Sequence, residues 1–452
     1  MLARNDEIVD ALGAPPRINS LIDSGLFRRR LADDRSDAAT LARLFRLTLP
    51  VPLPDAARAL APLDPGALVD LELASVDDEA LTLRVRLSAY EGLALASDPL
   101  DPAARSFVAG PNPSATRVDR LTIRRPVART LDLGTGAGTQ AFLAARHSDE
   151  VLAVDVNERA LELAGLNAEL NGIENVELRR GDWFEPVAGE RFDLIVSNPP
   201  YVVSPETELL YRDGTLVADA VTRKLVLEAP EHLAEGGIAQ LMGNWAHRAD
   251  EDWRAPVEKW IAGSGCDALL LRFAGADLAT YAGSWNLGFV AEGAEPFLAA
   301  VDRWLDYYRE EGIEAIAEAM VVLRKRSGRN WVRAIEIPGS PTGAAGEQVL
   351  RMIAARDRRE EVGGDDAVLG ARFACAPGLK MTTKARGPGF AMSSSTIELE
   401  EAGIGFAAPV SAELAEALPR LDGSEELHAT APAVAPAEAR RLFSLGLLTI
   451  LT

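Results

Sequence analysis

A chain of 452 residues, 48% apolar and 25% charged, has room for roughly two to four domains with hydrophobic cores of their own. A formal net charge of −21 opposes long-range attraction to phosphate backbones, so a nucleic-acid substrate would need a local basic patch. No apolar run reaches membrane-span length, the two cysteines and four histidines fall in no metal-ligand spacing, and the opening MLARNDEIVDALGAPPR lacks the apolar core of a signal peptide. These features predict a cytoplasmic protein without membrane contact, structural zinc, or a Cys or His nucleophile.

Residues 1–105 read as an N-terminal module. A helix is predicted over Asp37–Thr48, where Leu41, Leu44 and Phe45 share one face and Pro50 stops the run. Short helices follow near Ala56–Leu60 and Gly66–Leu71. Leu81–Tyr90 alternates like a strand and leads through Glu91-Gly92 into LALAS, a hairpin pattern. Helices followed by a hairpin are winged-helix-like, which suits either DNA binding or a platform for a substrate or partner. Arg28-Arg29-Arg30 is followed at once by Asp33, Asp34 and Asp37, so no basic stripe forms and the platform reading is preferred.

Residues 106–340 alternate strand and helix signals. Buried strands are predicted at Thr130–Gly134, Val151–Asp155, Val176–Arg180, Phe192–Asn198 and Ile238–Gly243, with helices between them, one ending at Gly172. This rhythm predicts an α/β, Rossmann-like parallel sheet with helices on both faces. Glu318–Arg326 and Asn330–Ile337, flanking Ser327-Gly328-Arg329, read as a closing antiparallel hairpin. The linker-like Pro338–Gly346 opens a third module, 341–452, whose helix, Leu-Asp-Gly turn, second helix and Gly-Leu-Leu closure again suggest a small α+β, winged-helix-like domain.

The chemistry sits at the ends of the predicted strands. Asp132-Leu133-Gly134-Thr135-Gly136-Ala137-Gly138 carries a strand into a glycine turn and a helix. Its G-x-G-x-G spacing differs from the G-x-G-x-x-G loop that seats a pyrophosphate. It suits the amino-acid part of S-adenosylmethionine (SAM), whose ammonium Asp132 can bind. Asp155, with Val156 beside it, ends the next strand, where a carboxylate can accept both ribose hydroxyls. Asp182 and Trp183 follow the third strand and can meet the adenine. Asn198-Pro199-Pro200-Tyr201 follows the fourth. Two prolines make a rigid turn there. The Asn198 side chain and the Pro199 carbonyl can both accept from one NH2 group, and Tyr201 can stack on its planar π-system; Asn198 borders cofactor and acceptor alike. Such a nitrogen is a weak nucleophile, so positioning is the expected catalytic contribution.

LDLGTGAG, VDVN, GDWFEP and SNPPYV, in this order and spacing, resemble the N5-glutamine methyltransferases of peptide-release factors. The resemblance implies SAM as cofactor, a protein substrate such as a release factor with its Gly-Gly-Gln loop, a glutamine amide gripped by Asn198, Pro199 and Tyr201, and Asp155 and Asp182 on ribose and adenine. It extends into YRDGTLVADAVTRKLVLEAPEHLAEGGIAQL. The chain departs from the family's usual Pro-Arg-x-Glu-Thr-Glu-like segment at Ala109–Thr116, and from its fifth-strand Glu at Met242–Trp245. The same Asn-Pro-Pro-Tyr/Phe turn serves enzymes that methylate adenine N6 or guanine N2, and Arg117, Arg120, Arg124, Arg125 and Arg129 offer them a basic patch. A small-molecule amine and a SAM-binding docking scaffold are the remaining alternatives.

Overall fold

The computed structural model describes residues 21–101, 104–206, 219–273, 275–337, 339–358, 362–386, 391–405 and 407–451. The opening seventeen residues and the Tyr211–Ala218 part of the family-like segment lie outside them. By contact the chain divides into two units, one drawn from Met1–Thr116, Pro126–Leu270 and Gly275–Arg333, the other from Arg117–Arg125, Leu271–Ala274 and Ala334–Thr452.

The first unit begins with α1 (Leu21–Arg30), α2 (Asp37–Phe45), β1 (Val51–Pro52), α3 (Leu53–Leu60), α4 (Pro65–Asp70), β2 (Ala74–Asp77) and β3 (Ala80–Leu83). Ser36 caps α2, its hydroxyl accepting from the Ala39 N–H at 3.2 Å. The predicted apolar face of α2, Leu41, Leu44 and Phe45, is buried against Val51, Ala56 and Leu81. The single strand expected over Leu81–Tyr90 is two strands. β3 pairs with β1 and β2, whereas β4 (Arg86–Tyr90) pairs with β5 (Leu93–Ser97). The alternation runs unbroken through both, but it serves two cores. Leu81 and Leu83 bury among the helices, while Val85 buries with Ala96, Ala137 and Leu163. The β4–β5 hairpin closes as expected through Glu91 and Gly92, at φ +47° and +77°, the two left-handed residues of a type I′ turn.

Next come α5 (Pro113–Leu121), β6 (Val127–Leu133), α6 (Thr139–Ala144), β7 (Ser148–Asp155), α7 (Glu158–Asn171), β8 (Val176–Arg180), β9 (Phe192–Ser197), α8 (Ala220–Glu228), β10 (Leu233–His247), α9 (Ala255–Ile261), β11 (Cys266–Phe273), α10 (Leu278–Trp285), α11 (Ala294–Glu310), β12 (Ala315–Lys325) and β13 (Val332–Ile337). The sheet order is β13-β11-β12-β10-β9-β6-β7-β8. β8, β7, β6, β9 and β10 are parallel neighbours and β12 is antiparallel to β10, a Rossmann-like mixed sheet. Each parallel strand predicted from sequence is present.

The expected closing hairpin is not. β12 and β13 are adjacent in sequence, but β11 lies between them in the sheet. A buried aspartate ties β11 to the segments on either side. Asp267 on β11 is fully buried and accepts from Arg324 of β12 at 3.2 Å and from the Trp331 N–H at 3.1 Å. A buried charge needs such partners, and they lie on both sides of β11.

Helix α7 runs from its Asn157 cap to the left-handed Gly172, where the sequence places its end. It also holds the N-terminal hairpin. Asn171 donates to the Ala94 carbonyl and accepts from the Ala94 N–H, at 2.8 and 2.9 Å. Asn167 donates to the Ala96 carbonyl at 2.9 Å and accepts from the Ala96 N–H. Two amides one helical turn apart thus satisfy an edge strand that would otherwise expose its backbone.

The second unit holds α12 (Gly346–Asp357), α13 (Asp365–Leu369), β14 (Phe373–Cys375), β15 (Leu379–Arg386), β16 (Ala391–Leu399), β17 (Ala408–Val410), α14 (Ala412–Ala417), α15 (Leu427–Thr430), α16 (Pro436–Ser444) and β18 (Leu448–Ile450). α16 ends at left-handed Gly446 with the Leu447 N–H donating to Leu442, and β18 then pairs with β14. It is a small α+β body with its own core around Phe373, Leu414, Leu427 and Phe443.

Candidate active site

The sheet's strand order reverses at β6. The chain steps outward from β6 to β7 and β8, then crosses to β9 on the other side, which puts the switch point, where open α/β sheets bind ligands, at the carboxyl ends of β6 and β9. Leu133 and Ser197 are register partners there, and the Ser197 hydroxyl donates to the Leu133 carbonyl at 2.8 Å. The glycine loop and the Asn198 turn therefore leave the sheet side by side.

Gly134, Gly136 and Gly138 all take left-handed φ, +68°, +55° and +85°. A Cβ on Gly136 would point into open space, and one on Gly134 would meet only the Pro199 Cα, at 3.9 Å. Gly138 is different: its Cβ would lie 2.3 Å from the Phe142 ring. Gly138→Ala combines a left-handed alanine, about 1–2 kcal/mol, with overpacking of about 1–3 kcal/mol. It is expected to lower the denaturant midpoint clearly, whereas Gly136→Ala carries the backbone penalty alone. Equal midpoints for the two variants would contradict the Phe142 contact.

Asp132 is buried beneath this loop. It accepts from the Thr135 hydroxyl at 2.7 Å and the Ala141 N–H at 3.0 Å, tying the loop to the start of α6. Burial pushes its pKa up to about 7, against the pull of those two hydrogen bonds, and the nearby Asp155 adds to the rise. A carboxyl raised on folding favours the protonated native state. Its contribution is complete below the ordinary carboxylate range and is lost as pH rises through about 7. Asp132→Asn keeps an acceptor for Thr135 and Ala141 without the charge. In the ligand-free protein it is expected to melt higher than wild type at pH 8, the gap narrowing toward pH 4. Parallel melting curves across that range would contradict the raised pKa.

Asp155 ends β7. Its two oxygens accept from the Gly136 N–H at 2.9 Å and the Asn157 N–H at 2.8 Å. The Val156 N–H adds a third, smaller hydrogen bond, which leaves the carboxylate one further lone pair. Burial raises its pKa and these hydrogen bonds restrain the rise. Val156 beside it is exposed. The Gly181 N–H donates to the Asp155 carbonyl at 3.2 Å, which sets Asp182 and Trp183 next along the same rim. Trp183 is left-handed at φ +50°, an unusual conformation for a bulky side chain, and both residues are half-buried.

The Asn198 turn carries a network that the sequence reading missed. The Ser114 hydroxyl, near the start of α5, donates to Asn198 Oδ1 at 2.6 Å and also lies 2.6 Å from the Tyr201 hydroxyl. Gln140 of α6 secures the same helix start, donating to the Ala115 carbonyl at 2.9 Å. Tyr201 is buried, so its hydroxyl is a structural tie as well as a candidate contact. Beyond it the Val203 peptide is held from both sides. Its N–H donates to the Tyr281 hydroxyl at 3.1 Å, and the Tyr308 hydroxyl donates to its carbonyl at 2.9 Å. Ser114 had one signal in the sequence, its place in the departing segment Ala109–Thr116. Tyr281 and Tyr308, on helices far along the chain, had none.

The proposed basic patch is largely tied off. Arg129 pairs with Glu150 and Glu190 at 2.8 and 2.6 Å, Arg124 pairs with Asp119, Arg120 donates to the Pro341 carbonyl and Arg117 stacks on Phe273. Among the described residues no group of three or more His, Cys, Asp or Glu side chains could hold a metal ion, and no helix is long and apolar enough to cross a membrane.

Residues 114–252 match the family model "Methyltransferase small domain". Over 187 residues the chain is 35% identical to the ribosomal protein uL3 glutamine methyltransferase of Bradyrhizobium diazoefficiens, covering 38% of this chain and 58% of that one. Over 142 residues it is 41% identical to the release factor glutamine methyltransferase of Xylella fastidiosa, covering 28% and 50%. The Yersinia pestis release factor glutamine methyltransferase is 38% identical over 161 residues, covering 32% and 58%. The chain thus spans between half and three-fifths of the length of these relatives. Its central part matches a methyltransferase domain model and resembles the release-factor and ribosomal-protein glutamine methyltransferases.

Proposed function

We propose that this chain is an N-methyltransferase that uses SAM to methylate a planar nitrogen, the side-chain amide of a glutamine in a protein. The observation that carries the reading is the adjacency of the two loops at the strand-order reversal, where Leu133 and Ser197 pair in register and a Cβ on Gly134 would fall 3.9 Å from the Pro199 Cα. Cofactor and acceptor then meet at one switch point.

SAM is compatible with the residues present. The backbone at Gly134 and Gly136 is open where side chains would stand, and the Asp155 carboxylate, already accepting three backbone N–H groups, keeps one lone pair for a ribose hydroxyl. Asp182 and Trp183 are assigned to the adenine, Asp132 to the methionine ammonium, and Thr135, Gly138 and Val156 to the walls. When bound, SAM supplies an electrophilic methyl on a sulfonium. The chain's own part is to orient the acceptor. Asn198 Oδ1 and the Pro199 carbonyl accept from the NH2 group, which draws its lone pair out of conjugation and aims the nitrogen, while Tyr201 lies against the amide plane.

Residues 1–105, 106–340 and 341–452 are assigned as a winged-helix-like module, the methyltransferase domain and a second winged-helix-like module. The outer modules serve as platforms for the protein substrate, a release factor or a ribosomal protein, in the cytoplasm. The test uses the full chain, SAM, and purified release factor and uL3 in separate reactions, read by peptide mass spectrometry. A single added methyl on a glutamine, lost when that glutamine is replaced by alanine, supports the reading. No methyl on either protein, with SAM bound, would count against it.

A further inference from the structure

We propose that Ser114 is a positioning residue that sets which end of the Asn198 amide faces the methyl acceptor; this rests on reading the Asn198 turn as the grip on an NH2 group. The two ends of an asparagine amide have nearly the same shape and opposite hydrogen-bonding character. A grip on NH2 works only if the oxygen end is offered, because Nδ2 would set donor against donor. Something must choose the orientation.

A serine hydroxyl can donate or accept, and here two observations choose: 2.6 Å is the length of an O–H···O bond rather than an N–H···O bond, and Tyr201 stands on the other side as donor. The Ser114 Oγ lies 2.6 Å from Asn198 Oδ1 and 2.6 Å from the Tyr201 hydroxyl. Serine has one hydrogen to give, and an amide oxygen can only accept. The hydrogen therefore goes to Oδ1, and Tyr201 becomes the donor to Ser114. A phenol donates more strongly than it accepts, so the chain Tyr201 to Ser114 to Asn198 runs in its preferred direction. Oδ1 has two lone pairs. Ser114 takes one and holds the oxygen in place, and the second remains for the acceptor. Ser114 itself touches neither ligand in this scheme. Its helix start is fixed independently by Gln140 on the Ala115 carbonyl, so the hydroxyl is delivered by rigid backbone.

The experiment compares wild type, Ser114→Ala and Ser114→Thr in the full chain. The first readout is the Asn198 side-chain amide in protein labelled with 15N-asparagine, assigned by its loss in Asn198→Asp. One resonance pair is expected in wild type and in Ser114→Thr, and a shifted, doubled or broadened pair in Ser114→Ala. The second is methyl transfer to the release factor or uL3. Ser114→Ala is expected to lower kcat by about tenfold, the scale of one hydrogen bond, with SAM affinity unchanged and Ser114→Thr restoring the rate. An unperturbed amide pair in Ser114→Ala overturns the inference, whatever wild type methylates. Spectra as expected, with no transfer by wild type to either protein, leave the Asn198 orientation standing and sink the glutamine reading instead.

Discussion

Asn198→Ala is expected to lower methyl transfer on the order of 100- to 1000-fold while leaving SAM affinity near wild type. The scale is that of removing one preorganised polar group from a site where it acts on developing charge. An amide nitrogen is nucleophilic only to the extent that its lone pair is drawn out of conjugation, and that depends on where its two hydrogens are held. Alanine removes one of the two proposed acceptors and leaves Pro199 alone. The rest of the site has its own supports: the glycine loop is tied by Asp132 and Asp155, and the peptide beyond the turn by Tyr281 and Tyr308. Calorimetry for SAM and single-turnover methyl transfer separate the two effects. Equal losses in both would reject the role given to Asn198.

Asp155→Ala should act in the opposite way, on the cofactor. Losing a charge-assisted hydrogen bond to the ribose is worth about 1.5–3 kcal/mol, or roughly a 10- to 150-fold weaker Kd. Part of this loss comes through the loop, because the same carboxylate accepts from the Gly136 N–H. Asp155→Asn keeps one acceptor and removes the charge, so it should fall between the two. The pKa of Asp155 is raised by burial. SAM affinity should therefore weaken as pH falls through that raised value, where the carboxylate is protonated. Unchanged affinity in Asp155→Ala would reject the ribose assignment.

What could be read from sequence divides along physical lines. Strands β6, β7 and β9 are apolar runs of six to eight residues, and the ends of β6 to β9 carry the site, so local pattern located both. Gly172 and the Glu91-Gly92 turn were legible because a left-handed residue is written in the residue type itself. Reading failed where pairing is non-local. β12 and β13 are separated by a short turn and looked like a hairpin, but β11, distant in sequence, pairs between them. Leu81–Tyr90 alternates without a break and still serves two cores. At the site, Asn198 and Tyr201 were visible in their motif. Tyr281 and Tyr308 were not, and Ser114 showed only as part of the departing segment Ala109–Thr116, because each reaches the turn from a distant helix through one hydroxyl, and a hydroxyl leaves no periodicity.

The central claim is that SAM's methyl goes to a nitrogen on a protein. Its most direct test is transfer of tritiated methyl from SAM to a cell extract by the purified chain, with parallel protease and nuclease treatment. The account predicts label in a protein band, removed by protease, untouched by nuclease, and absent with Asn198→Ala. Label removed by nuclease, or no label at all from a chain that binds SAM, would contradict it.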